Sequence, residues 1–385
     1  MHEACVLVLS DGAEFRGRSF GAAAPLVMSL KPNTVPKKGT GEVVFNTGMC
    51  GYHEILTDPS YSGQIVAMTY PMIGNYGADN AWNEVGPEAN KPKVKAAGFA
   101  VRSCYDGPLP DGRITLDSFL VQHQTPGIYD LDTRALTLHI RERGSINGVI
   151  VAPEEGRGLN KKESEQCSAF LETFPSMQGR DLLPDVGTDQ LVSINAQGTP
   201  LFALIDCGIK ANIIEELRRR GCGVLLFPAG TSASEVLDHA PDAVLYSNGP
   251  GDPAVLDGII SQIGSFLGSI PVFGICLGHQ LICQAIGAET RKMKFGHHGV
   301  NHPVRDERSR KVFVTSQNHG FDVIEASLGT DTEVWFRNAN DKTVEGIRDD
   351  QRRLLTAQFH PEAAPGPRDS GWIFDEFVRV AGGKQ

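Results

Sequence analysis

No two of the eight cysteines form a C-x-x-C pair, which argues against a zinc site of the paired-cysteine kind. No run of about 18 apolar residues exists, so no membrane-spanning helix is expected. The opening MHEACVLVLSDG lacks both a basic stretch and a long apolar core, so a secretory signal is not expected either. Positive charge is in deficit: 36 Lys and Arg stand against 46 Asp and Glu, a net charge of −10. An acidic chain has no electrostatic footprint for nucleic acid or an anionic membrane, and neither is expected as a main partner. There is no G-K-[ST] phosphate loop, internal repeat or low-complexity tract. Scattered cysteines without a secretory leader suit reduced thiols in a cytoplasm.

What is present is an ordinary globular composition, 41% apolar and 21% charged over 385 residues, long enough for two domains. The first half bunches strand candidates early: CVLVLSDGAEF, GEVVFNTG, QIVAMTYP and AAGFAV. SFLVQHQ and DTRALTLHIRERG read as helices, the second with Leu136 and Ile140 at helical spacing and Gly144 as its cap. Met28 to Gly41 carries Pro, Lys and Gly without periodicity and reads as an exposed loop. This mixed α/β region is placed at 1–153. Residues 154–200, rich in Glu, Lys, Ser, Gly and Gln with one helical patch near Ala169, read as a linker region. From Leu201 to 385, apolar runs alternate with helical stretches: LFALID, KANIIEELRRRG, GVLLF, DAVLYS, VLDGIISQIGSFLG, PVFGI and GHQLICQAIG. That alternation predicts βαβ units, an open and mostly parallel sheet with helices on both faces.

The sharpest chemical signal is PVFGICLGHQ. Gly274 and Gly278 flank Cys276 in G-x-C-x-G, the cysteine form of a nucleophile elbow, where small residues permit a strained strand-to-helix turn. A cysteine at a helix N-terminus is favoured as thiolate. A lone cysteine would sooner be core; the motif around Cys276 reverses that reading. A thiolate nucleophile needs a base. His360 and Glu362, in FHPEA beyond the apolar LLTAQ, supply an imidazole and a carboxylate that can orient it. Alone, His-Pro-Glu reads as a solvated turn; its pairing with the cysteine elbow raises it. Ser247-Asn248-Gly249-Pro250-Gly251-Asp252-Pro253 follows an apolar strand. Its glycines allow close backbone approach to a ligand or an oxyanion, and an ordinary turn is the equal alternative.

GICLGHQ, SNGPGDP and FHPEA together resemble the class I, triad-type glutamine amidotransferases. GEVVFNTGMCGYHEILTDPSY, YPMIGNYG, DLDTRALTLHIRERG, DCGIKANI, MKFGHHGVNHPV and QNHGF resemble the small, glutamine-hydrolysing subunit of carbamoyl phosphate synthetase, from Leu7 to about Phe377. Residues 28–38 look like an insertion beside the usual pattern. The resemblance implies a nucleophile at Cys276, a general acid/base at His360 and its orienting partner at Glu362. It implies backbone donors at Leu277 and Gly251, glutamine contacts at Gly249, Gln280, Asn318, Gly320 and Phe321, and a contact from the N-terminal domain at Ser60. It also implies L-glutamine as substrate, no cofactor on this chain, and a large synthetase subunit that holds ATP and Mg and consumes the ammonia. Rival readings are a stand-alone amidase or γ-glutamyl hydrolase of the same fold and a catalytically silent regulatory module. The histidines of GHHGVNH are not read as a metal site, because no cysteine or carboxylate ligand adjoins them in sequence. Cys283 reads as core, the remaining six cysteines as structural, and Arg218-Arg219-Arg220 as a solvated helix end.

Overall fold

The computed structural model describes residues 3–87, 93–156 and 158–383; the outer limits expected for the two domains, residues 1 and 385, lie outside them. Two compact units emerge, one of Met1–Asn83, Pro92–Arg180 and Lys294–His298, the other of Glu84–Lys91, Asp181–Met293 and Gly299–Gln385. Among the described residues, no helix is long and apolar enough to cross a membrane.

The first unit contains strands β1 (Ala4–Leu9), β2 (Glu14–Gly21), β3 (Thr40–Asn46), β4 (Gln64–Met68), β5 (Met72–Ile73), β6 (Gly98–Ala100), β7 (Ser103–Cys104), β8 (Pro126–Tyr129) and β9 (Asn147–Val151). Its helices are α1 (Tyr52–Thr57), α2 (Leu116–Gln122), α3 (Thr133–Arg143) and α4 (Lys161–Thr173). Seven strands close into a barrel in the order β1-β2-β8-β6-β4-β3-β9, and β9 returns to pair antiparallel with β1. Alternation along β1 sends Cys5, Leu7 and Leu9 to a core with Leu136 and Ile140 of α3, and Val6 and Val8 to a second core with α4. Helix α3 starts at Asp132, whose side chain accepts from Ala135 N–H, and stops at Gly144 with φ +102°. The loop expected over Met28 to Gly41 is exposed from Lys31 to Lys37 but anchored by the buried Leu30, and Thr40 already opens β3.

The second unit contains β10 (Val192–Ile194), β11 (Leu201–Asp206), β12 (Gly223–Pro228), β13 (Ala243–Tyr246), β14 (Val272–Ile275), β15 (Thr290–Asp306, apart from Lys294–His298), β16 (Val312–Val323), β17 (Glu333–Asn338), β18 (Val344–Asp349) and β19 (Leu354–Ala357). Helices α5 (Ala211–Arg219), α6 (Ala233–Leu237), α7 (Asp257–Phe266), α8 (Leu277–Ala285) and α9 (Trp372–Ala381) complete it. The sheet order is β10-β12-β11-β13-β14-β19-β18-β17-β15-β16. The five strands β12, β11, β13, β14 and β19 run parallel at its heart. Phe202 and Leu204 of β11 face Ile213 and Leu217 of α5 and Phe374 of α9, while Ala203 and Ile205 face Ile263 of α7 and Leu281 of α8. Strands covered on both faces account for the unbroken apolar runs. After β11 the chain lays β12 on one side and β13 on the other, so the loops diverge at the carboxyl ends of β11 and β13 and open a crevice.

Residues 154–200, expected as a linker, are divided between the units at Arg180 and Asp181. Helix α4 starts in a capping box: Asn160 accepts from Glu163 N–H, and the Glu163 carboxylate accepts from Asn160 N–H. It buries Cys167, Phe170 and Leu171 against Val6, Val8, Val149 and Val151. Strand β10 joins the other unit through β12. The polar composition that suggested a linker is the solvent face of α4; its apolar stripe is only three residues wide. Arg218 and Arg219 pair with Glu215 and Glu216 near the surface, as a solvated helix end should. Arg220 differs, reaching Asp375 Oδ1 at 2.6 Å and Gly371 O at 2.9 Å to tie α5 to α9. Of the cysteines read as structural, Cys50 is exposed.

Phe170→Ala should lower unfolding free energy by about 3–5 kcal/mol, the range for truncating a buried aromatic. Urea denaturation checks this, and a change within about 0.5 kcal/mol would restore the passive linker.

Candidate active site

Four chain segments of the second unit end at the same carboxyl edge: the residues after β11, β13, β14 and β19. Cys276 stands between β14 and α8 with φ +55° and ψ −104°, a conformation few non-glycine residues adopt. Its N–H donates to Ala357 O at 2.8 Å, and its thiol donates to Asn318 O at 3.5 Å. The flanking glycines are obligatory for space. A Cβ on Gly274 would meet Gly278 backbone at 2.6 Å, and one on Gly278 would meet Tyr246 O at 2.1 Å. Gly278 N–H in turn donates to Ser247 O at 3.0 Å, which binds the elbow to the loop after β13. In that loop a Cβ on Gly249 would meet Cys207 O at 2.0 Å, and Gly251 holds φ +94°. Leu277 is the first residue of α8, whose opening N–H groups point out of the helix end.

His360 follows β19 and is fixed by its own N–H donating to Ser316 O at 2.9 Å. Its Nδ1 lies 2.7 Å from Glu362 Oε1, and both side chains are buried. Nε2 makes no hydrogen bond of good geometry, and the Cys276 side chain lies near enough to act on the ring's charge. Burial alone would push the imidazole pKa down. The Glu362 carboxylate, then the Cys276 thiol, outweigh it and hold the ring above its ordinary value. For Glu362 burial pushes upward, and Lys210 and His360 together hold it below its ordinary value.

Lys210 was not singled out from the sequence. Its Nζ lies 2.9 Å from Glu362 Oε1 with 1% of the side chain exposed, and it also donates to Ala363 O. Its N–H donates to Asn248 Oδ1 at 2.9 Å, and Asn212 Nδ2 donates to Glu362 O. One carboxylate oxygen therefore receives both the lysine and the imidazole. A charged residue lodged in the apolar GIKANI stretch straight after a buried strand was the available signal.

Of the other expected contacts, Gln280 Nε2 donates to Phe321 O at 2.9 Å and to Gln358 Oε1 at 3.0 Å. Asn318, Gly320 and Phe321 all sit on β16, and Lys292 Nζ lies 4.9 Å from the centre of the Phe321 ring. Gly249, Gly251, Leu277, Gln280, Asn318, Gly320 and Phe321 thus share the unit that holds Cys276, His360 and Glu362. Ser60 belongs to the first unit, in a tight turn over Pro59–Tyr61 where its N–H donates to Asp58 Oδ1 at 2.9 Å. Cys283 is buried against Val272 and Leu281, as expected of a core thiol. Chemically, a sulfur on a strained turn at a helix N-terminus, an imidazole held by a buried carboxylate, and glycine-lined backbone nearby suit attack on an acyl carbon.

Lys210→Met should cost about 1–3 kcal/mol in urea unfolding, because it takes one of two charged donors from a buried carboxylate and leaves it the His360 imidazolium. The double variant Lys210→Met/Glu362→Met should recover part of that loss; strict additivity would show the two residues uncoupled. A pH dependence follows. Glu362, lowered, adds stability that is full above its ordinary 4.5 and lost as pH falls through the folded value. His360, raised, adds stability that is full below its ordinary 6.5 and lost as pH rises through the folded value. The stability difference between the unsubstituted chain and Glu362→Gln should peak between these two values. A difference flat from about pH 3 to about pH 9 would overturn the assignment.

Comparison with known proteins agrees with this division of the chain. Residues 203–380 match the family model of class-I glutamine amidotransferases, and residues 7–150 match that of the carbamoyl-phosphate synthase small chain, CPSase domain. The carbamoyl phosphate synthase small chain of Methanocaldococcus jannaschii is 44% identical over 97% of this chain and 98% of its own length. That of Clostridium perfringens is 43% identical over 97% and 99%, and that of Bacillus caldolyticus 45% over 97% and 95%. At that identity over nearly the full length, with an elbow cysteine and a buried His-Glu pair at one sheet edge, the chain belongs to the carbamoyl phosphate synthase small chain family and carries its class I glutamine amidotransferase domain.

Proposed function

We propose that this chain hydrolyses L-glutamine through a Cys276-His360-Glu362 triad and hands the ammonia to a large, ATP-dependent synthetase subunit that makes carbamoyl phosphate. The observation that carries the reading is the buried His360–Glu362 contact beside Cys276 in a chain of this family.

The Cys276 thiolate attacks the side-chain amide carbon of glutamine. The C–N bond breaks as the His360 imidazolium gives its proton to the departing nitrogen, and ammonia leaves a γ-glutamyl thioester. Water, deprotonated by the now neutral His360, attacks the thioester and releases glutamate. Glu362 keeps the ring in the orientation that presents Nε2 to both steps and stabilises the imidazolium; Lys210 keeps Glu362 ionised. Leu277 and Gly251 N–H groups are assigned to the oxyanion. Gly249, Gln280, Asn318, Gly320 and Phe321 are assigned to the glutamine. These steps require no metal or nucleotide of this chain; ATP and Mg belong on the large partner. A cytoplasmic site of action is part of the proposal, in keeping with eight free thiols.

Cys276→Ser should reduce glutamine-dependent carbamoyl phosphate synthesis by at least about a hundredfold, a loss in the range set by one activated nucleophile. Ammonia-dependent synthesis by the reconstituted complex should be unchanged. Near-normal glutaminase turnover in the serine variant, or equal loss of both activities, would overturn the assignment.

A further inference from the structure

Residues 28–38, the segment that looks like an insertion, end on Lys38 and take no part in the glutaminase reading. Leu30 and Pro36 of this segment form one wall of a cavity of about 220 Å³ in the first unit, with Pro25, Pro126, Phe170 and Thr40 on the other sides. Lys38 also lines it. The Lys38 amine donates to Val94 O at 2.8 Å and to Ala96 O at 2.7 Å. Among the described residues no carboxylate pairs with it. The titratable groups near it are Lys95, which is buried, and His123, which is half-buried, and neither brings negative charge.

An ammonium carries three hydrogens, whereas a neutral amine carries two, and the two carbonyls receive both. The lone pair is then left over. Burial, then the Lys95 charge, push the Lys38 amine down to about 7. About half of it is neutral at pH 7, against roughly one in a few thousand for an ordinary lysine. The cavity wall carries a matching donor. Thr40 is 1% exposed, and its hydroxyl makes no hydrogen bond among the described residues. Ser29 and Thr34, which also line the space, spend their hydroxyls on Leu26 O and Lys31 O. Walls this apolar oppose entry of phosphate or bicarbonate, whose charge would lose its water. They suit a small uncharged electrophile.

We infer that Lys38 is a carbon dioxide site, at which its neutral amine adds to CO2 and is held as a carbamate in this cavity. The nitrogen lone pair bonds to the carbon, one C–O π pair withdraws onto oxygen, and one N–H proton passes to water. The other N–H stays on a carbonyl, and the product is an anion. The step gives up one carbonyl contact. In exchange, repulsion from the Lys95 ammonium becomes attraction, and the Thr40 hydroxyl gains a carbamate oxygen as acceptor.

The test equilibrates the full chain with carbon-13 CO2 at neutral pH, then adds a trialkyloxonium salt, which esterifies a carbamate and preserves it for peptide mass mapping. The label should map to Lys38. Carbon-13 NMR of the untreated sample should show the same carbamate as a resonance that is absent in Lys38→Arg. The chain's α-amino group, with an ordinary value of about 8, is the other amine ready to take CO2, and its separate resonance should persist in that variant. Thr40→Val should raise the CO2 concentration for half occupancy of Lys38 about threefold to tenfold, the worth of one hydrogen bond. The unfolding temperature should rise with dissolved CO2 at constant pH in the unsubstituted chain and not in Lys38→Arg, because a group bound only in the folded state stabilises it. A Lys38 label absent at saturating CO2, or no stronger than that on the exposed Lys31, overturns the site. That result comes from the unsubstituted chain and stands even if a variant fails to fold. Occupancy unchanged in a folded Thr40→Val chain overturns the placement of the carbamate in this cavity.

Discussion

A single carboxylate oxygen, Glu362 Oε1, holds the site together. It accepts from His360 at 2.7 Å and from Lys210 at 2.9 Å, with all three side chains removed from water. Two cations around one buried anion leave a net positive charge at the edge where Cys276 stands. The arrangement is tolerable only because each charge has a partner and the lysine also meets the Ala363 carbonyl. Lys210 follows β11, Cys276 follows β14 and Glu362 follows β19, so this charge cluster also pins the carboxyl ends of three strands to each other.

The second constraint is steric. The elbow exists because the backbone of α8 approaches the end of β13 more closely than any side chain permits, with Gly278 against Tyr246 O. That approach brings Gly278 N–H to Ser247 O and places Gly249 against Cys207 O. Glycines in G-x-C-x-G and in the loop after β13 are two sides of one packing requirement. The strained Cys276 backbone is the consequence, and it keeps the thiol at the helix end instead of within the sheet.

Much of this was legible from residue patterns, and the parts that were not share a physical cause. Strands buried on both faces announce themselves as apolar runs, so the parallel centre from β11 to β14 and the elbow at Cys276 could be read directly. Barrel closure in the first unit could not, because β1 pairs with β9 139 to 145 residues later and local periodicity carries no record of that partner. Helix α4 was hidden by its own solvent face. Lys210 was passed over because a lone lysine is solvated by default, and only the folded chain shows it with 1% of its side chain exposed. Gln280, Asn318, Gly320, Phe321 and Ser60 are expected as substrate contacts from family resemblance alone; nothing in their spacing marks one.

The same cause explains why the network around Glu345 escaped notice. Glu345 Oε2 accepts from Gln317 Nε2 at 2.9 Å, and Gln317 Oε1 faces His319 Nε2 at 2.8 Å. Gln317, His319 and Glu345 occur in segments that read as ordinary strands, and each residue type is usually exposed. Their meaning lies in hydrogen-bond direction, which sequence does not encode. A carboxylate in contact with an imidazole acts on its charge directly, whereas one several bonds away acts on geometry, through groups that have no other way to turn.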